Sequence, residues 1–76
     1  MVLACILVYC EAGKFKEVLD KVKGLEGVKR AFPVHGRCDL VIQAGATDLK
    51  KLGELAFKVA ATPGVRATET LVEVPL

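Results

Sequence analysis

The sequence has little excess of charge of either sign: 11 Lys and Arg stand against 9 Asp and Glu, a formal net charge of +2. That balance is too weak to imply nucleic-acid binding through a basic surface. The charges are also mixed along the chain rather than gathered. Glu17 precedes Lys21, and Glu54 precedes Lys58, each at the one-turn spacing of a solvated helix face. Long apolar runs are lacking as well. No stretch reaches the roughly 18 consecutive apolar residues of a membrane span. The apolar opening from Val2 to Val8 has no basic region before it and no cleavage pattern after it, so it reads as a strand, not a targeting signal. Cysteine is scarce and odd in number, three residues with no CxxC pair, which argues against a secreted disulfide framework and places the chain in a reducing cytoplasm.

Against these absences stands an apolar surplus. Hydrophobic residues make up 53% of only 76, although a chain this short buries only about 60–65% of its unfolded surface. The surplus calls for partners. One domain over residues 1–76 is expected, and as an oligomer.

The periodicities give six elements. Val2 to Cys10 is β-branched and aliphatic, a strand. From Lys14 the apolar residues Phe15, Val18, Leu19, Val22 and Leu25 recur at helical spacing, and Gly24, as a left-handed cap, and Gly27 end that helix. A strand from Val28 to about Val34, a connection through His35, Gly36 and Arg37, and a strongly apolar strand from Asp39 to Ala46 follow. Thr47 and Asp48 signal a helix start. Leu49, Leu52, Leu55, Ala56 and Val59 mark its apolar face, Pro63 and Gly64 end it, and Val65 to Val74 is the last strand.

The two halves repeat. At one constant offset Lys14 aligns with Lys51, Glu17 with Glu54, Lys21 with Lys58, Val22 with Val59, Gly27 with Gly64 and Val28 with Val65. The order is therefore βαββαβ, an α+β ferredoxin-like split βαβ. Right-handed crossovers set an antiparallel sheet of order 4-1-3-2 with both helices on one face. The first and third strands are the most apolar and belong in the centre. The second and fourth carry Lys29, Arg30, Pro33, Arg66, Glu69 and Glu73, as protected edges do. The first strand is apolar on both faces, with Val2, Ala4, Ile6 and Val8 on one and Leu3, Cys5 and Leu7 on the other. A sheet wetted on one side alternates instead. The uncovered face is thus expected to pack on a second copy, sheet against sheet.

Chemistry-bearing residues are few. His35, the single histidine, lies near Asp39 but has no adjacent serine nucleophile, and a solvated loop histidine is the more economical reading. Cys5 and Cys10 are about 16 Å apart along one strand, beyond disulfide reach. Cys10, Cys38 and His35 share one end of the sheet, yet their spacing matches no structural zinc pattern, and no metal or cofactor is expected. Gly53 inside the second helix costs roughly 1 kcal/mol against alanine, which close packing against the sheet or a neighbouring subunit explains; a notch beside a ligand is the sharper reading. The connection Val34-His35-Gly36-Arg37-Cys38-Asp39 combines a permissive glycine, a cation and a carboxylate, groups that match the two ends of a small zwitterion. Thr68 and Thr70 offer hydroxyls at the same end. A polar hairpin with surface threonines accounts for the same composition.

Gly36-x-x-Asp39 followed by Leu40-Val41-Ile42, the closing Pro63-Gly64-Val65…Thr68-Glu69-Thr70-Leu71, and Gly27-Val28…Ala31-Phe32-Pro33-Val34 together resemble the effector-binding (RAM) domain of the Lrp/AsnC family over essentially the whole chain. The resemblance implies the same split βαβ fold, dimers through the sheets in an α/β-barrel-type packing, and assembly of dimers into an octamer or decamer. It implies an amino-acid effector held between subunits by His35, Gly36, Arg37, Asp39, Thr68 and Thr70, and a role in transcription regulation without catalysis. His35 stands where family members usually carry threonine, and Arg37-Cys38 replaces a common small or aromatic pair. No helix-turn-helix precedes the first strand, so a stand-alone or trimmed effector domain is expected, one without direct nucleic-acid contact that has full-length regulators as partners. Two further functions stay open: a ligand-independent structural partner, and a small dimeric α+β barrel enzyme using Gln43 and Tyr9.

Overall fold

The computed structural model describes all residues from 1 to 76. The elements are β1 (Val2–Cys10), α1 (Phe15–Val22), β2 (Val28–Pro33), β3 (Leu40–Ala46), α2 (Leu49–Ala60) and β4 (Val65–Val72). They form one four-stranded sheet of order β2-β3-β1-β4, every neighbouring pair antiparallel. This is the expected βαββαβ arrangement, with the two apolar strands β1 and β3 in the centre.

Side chains opposite each other in an antiparallel pair share a face, so the register assigns the two faces. Ala4, Ile6 and Val8 of β1 lie opposite Ala44, Ile42 and Leu40 of β3. All six are buried with Cys10, under Val18 and Val22 of α1 and Leu52, Leu55 and Val59 of α2. Each large apolar side chain removed from water there contributes about 1.5–3 kcal/mol. The other face carries Leu3, Cys5 and Leu7, opposite Gly45, Gln43 and Val41 of β3 and flanked by Leu71, Glu69 and Ala67 of β4. Nothing in the chain covers it: Leu3 is 36% and Leu71 48% exposed. At its β2 edge the Arg30 guanidinium stacks on the Phe32 ring, 4.3 Å from the centroid, a cation–π contact that shields one aromatic from water.

Several local expectations change. Gly24 is not left-handed; the positive-φ turn residue is Gly27, at +96°, matched by Gly64 at +96°. After α1 the chain makes one more turn, with Leu25 N–H donating to Val22 O and Val28 N–H to Leu25 O, so the reversal comes three residues later than Gly24. The charge pairs shift by one position. Lys14 pairs with Glu17 at 3.8 Å and Asp20 with Lys23 at 3.1 Å, and neither Glu17–Lys21 nor Glu54–Lys58 forms an ion pair. Leu49 is 65% exposed, because it sits off the line through Leu52, Leu55 and Val59. Gly53 is not a close-packing site against the sheet, since a Cβ there would meet nothing within 4 Å. β4 ends at Val72 rather than Val74, although Glu73 N–H still donates to Leu3 O at 2.8 Å.

Candidate functional site

The β2–β3 connection folds back at the end of the sheet where β1 finishes. Val34 N–H donates to Asp39 O at 3.0 Å and Asp39 N–H to Val8 O at 2.9 Å, which prolongs the ladder one step beyond β3. Gly36, at φ +141°, takes the turn through a conformation that other residues rarely adopt. Asp39 then uses its side chain structurally: Oδ2 accepts from the Cys10 N–H at 2.7 Å. A charged acceptor on a backbone amide is among the stronger hydrogen bonds, and here it ties the end of β1 to the start of β3. Burial, and after it the nearby Asp39 charge, raise the Cys10 thiol above its ordinary value, so it stays protonated at neutral pH.

Beside this connection lies a cleft of about 350 Å³ lined by Phe15, Pro33, Val34, His35 and Asp39. Its volume falls in the lower range of small-molecule sites, which are mostly apolar with a few placed polar groups. Phe15, Pro33 and Val34 supply the apolar wall, and His35 and Asp39 supply the polar groups. Phe15 is 39% exposed because it is the first residue of α1 and projects past the end of the core.

Of the six residues expected to form a site, His35 and Asp39 line the cleft. Gly36 and Arg37 belong to the same exposed turn without lining it. Thr68 and Thr70 lie elsewhere: they pair with Val8 and Ile6 on β4, on the far side of β1 from the β2–β3 connection. Within one chain they do not meet the loop. Phe15, which its spacing places on the apolar face of α1, also lines the cleft. Its signal was its place immediately after Gly13-Lys14, at the mouth of a helix.

A second depression of about 470 Å³ lies on the uncovered sheet face, where Lys29, Gln43 and Glu73 stand among Leu3, Cys5 and Leu71. Gln43 is exposed and Tyr9 half-buried. Cys10 and Cys38 are buried free thiols, and no three His, Cys, Asp or Glu side chains come together as a metal site. No helix is long and apolar enough to cross a membrane.

The fold and sequence have close parallels. A helix-turn-helix-type transcriptional regulator, FL11, from Pyrococcus abyssi is 27% identical over 70 residues; the match covers 92% of this chain and 46% of the regulator, so the chain spans about half its length. Among solved structures, FFRP-DM1 superposes with a TM-score of 0.92 at 33% identity, over 97% of this chain and 100% of that one. A hypothetical protein, PHS023, from Pyrococcus horikoshii follows at 0.89 and 32% identity, over 100% of this chain and 93% of that one. The model of the Lrp/AsnC ligand binding domain matches residues 3–74, and the chain belongs to that family.

Proposed function

We propose that residues 1–76 act as one effector-binding domain in the cytoplasm, holding a small amino-acid-type zwitterion at the β2–β3 connection and regulating transcription through its state of assembly. The observation that carries this reading is the cleft itself, in a domain of a ligand-binding family. It has an apolar wall of Phe15, Pro33 and Val34, the Asp39 carboxylate for an ammonium group, and His35 with neighbouring Arg37 for a carboxylate. Dimers form through the uncovered sheet faces, where Leu3, Leu7, Val41 and Leu71 leave water. Thr68 and Thr70 then serve a ligand only if a neighbouring subunit brings them to the cleft.

A thermal-shift screen of amino acids tests the ligand. Binding to the native state stabilises by RT ln(1+[L]/Kd), about 2.7 kcal/mol at a hundred times Kd, so a binder raises Tm by several degrees. Asp39→Asn retains an acceptor for the Cys10 amide and removes the charge; it keeps the fold and loses the shift. A screen in which no amino acid raises Tm rejects the effector role. The uncovered sheet favours a second reading, a ligand-independent partner that co-assembles with full-length regulators. Mixed assemblies forming at the same affinity with and without amino acids would select it.

A further inference from the structure

α2 has a flank that the chain leaves unused. Leu49, Gly53 and Phe57 follow one another at four-residue spacing and so lie in one row on the helix, with Ala56 and Ala60 alongside. Leu49 is 65% and Phe57 78% exposed, while a Cβ on the glycine between them would touch nothing within 4 Å. Glycine in a helix interior is unfavourable relative to alanine, and within the chain no neighbour requires it. Two large apolar side chains bracketing an empty notch are the shape of a helix-crossing contact, in which the notch admits a partner helix.

The charges beside this row indicate which partner. Lys50 and Glu54 border it on one side, one turn apart, and neither is ion-paired within the chain. When a second α2 crosses antiparallel on a two-fold axis at Gly53, Leu49 of each copy meets Phe57 of the other. Each Lys50 then comes beside the opposite Glu54. The pattern is self-complementary, as an isologous interface requires.

The geometry points to a two-fold α2–α2 contact between copies of this chain, centred on Gly53 and separate from the uncovered sheet face. Stable interfaces cover about 800 Å² per partner, whereas a helix of this length is about 18 Å long and its flank offers a fraction of that area. The contact therefore joins dimers already formed through their sheets, and it rests on that reading for its strength.

Sedimentation velocity on the purified chain tests it, with the wild type expected as a species larger than a dimer. Phe57→Glu and Gly53→Leu should each reduce it to the mass of a dimer. Gly53→Leu should retain or raise Tm, because the space is open in the folded chain, so loss of assembly cannot be laid to unfolding. Lys50→Glu should weaken assembly, and the swap Lys50→Glu with Glu54→Lys should restore it. Leu71→Glu, on the sheet face, reports on the sheet dimer alone. An unchanged mass in both Phe57→Glu and Gly53→Leu, or a wild type that stays monomeric at high concentration, overturns the α2 contact. A wild-type dimer that Phe57→Glu dissociates and Leu71→Glu leaves intact supports α2 and removes the sheet dimer instead.

Discussion

The two halves of the molecule begin from nearly the same instructions and end differently. Their exits agree closely. Gly27 and Gly64 both adopt φ +96°. In each half the turn is built the same way, with Leu25 N–H donating to Val22 O and Thr62 N–H to Val59 O, both at 3.1 Å. The carbonyl of each glycine is then tied down, Gly27 O by Gly45 N–H and Gly64 O by Glu11 N–H, both at 2.9 Å. The helix entries diverge. Asp48 caps α2, its Oδ1 accepting from Lys51 N–H at 2.8 Å, and the helix runs for 12 residues. Glu11, at the equivalent position, caps nothing; Gly13 turns the chain at φ +76°, and α1 has 8 residues with no side-chain cap. The missing turn opens the molecule. Leu52 is 3% exposed, whereas its counterpart Phe15 is 39% exposed and forms one wall of the cleft. A repeat thus yields one closed half and one half with an open cleft, and the difference traces to one capping residue and one glycine.

The largest expected effect sharpens that contrast. Leu52→Ala should cost about 2–5 kcal/mol, as buried leucines do, while Phe15→Ala should cost about 1 kcal/mol or less and act on ligand affinity instead. Urea denaturation measures both, and equal losses would mean that the Phe15 end is as closed as the Leu52 end. The exits should behave alike. Gly27→Ala and Gly64→Ala each force an L-residue into a left-handed conformation, at about 1–3 kcal/mol. Gly64→Ala should be the worse, since its Cβ would lie 2.9 Å from Val18 Cγ2. A neutral result at either breaks the equivalence of the turns.

The entries should differ again. Asp48→Ala should cost about 1 kcal/mol through the lost cap, and Glu11→Ala should stay within about 0.5 kcal/mol of wild type. Thermal unfolding of the pair checks this. The smallest effect concerns Cys10, whose counterpart Thr47 does not titrate. Its folded-state pKa lies above the ordinary 9.0, so the neutral thiol is favoured in the fold. That contribution is complete below pH 9.0 and declines above it, as the unfolded chain releases its proton first. Tm should therefore fall less between about pH 8 and pH 10 in Cys10→Ala than in wild type; identical slopes would leave the thiol without a role.

Much of the fold was legible because hydrophobic burial leaves a period in the sequence. The unbroken apolar run of β1, the three- and four-residue spacing of Leu52, Leu55 and Val59, and the paired turn glycines each report a local constraint. Of the candidate site, the polar connection His35–Asp39 could be read, because a glycine among polar residues marks a turn. Phe15 could not, because an apolar residue at helical spacing looks the same whether it enters the core or stops at its edge. The distance of Thr68 and Thr70 from the loop within one chain could not be read for a related reason: strand position tells how far along the sheet a residue lies, not how many strands separate it from a loop.

By itself the sequence determined the elements, the repeat, the antiparallel order and a sheet with one face to spare, all consequences of side-chain periodicity and chain direction. Tertiary structure alone decided that Asp39 holds the Cys10 amide, that the short α1 leaves a cleft, and that Gly53 faces open space. These depend on where a helix ends over the sheet and on which groups meet across it. Those distances arise from packing in three dimensions, and no local pattern encodes them.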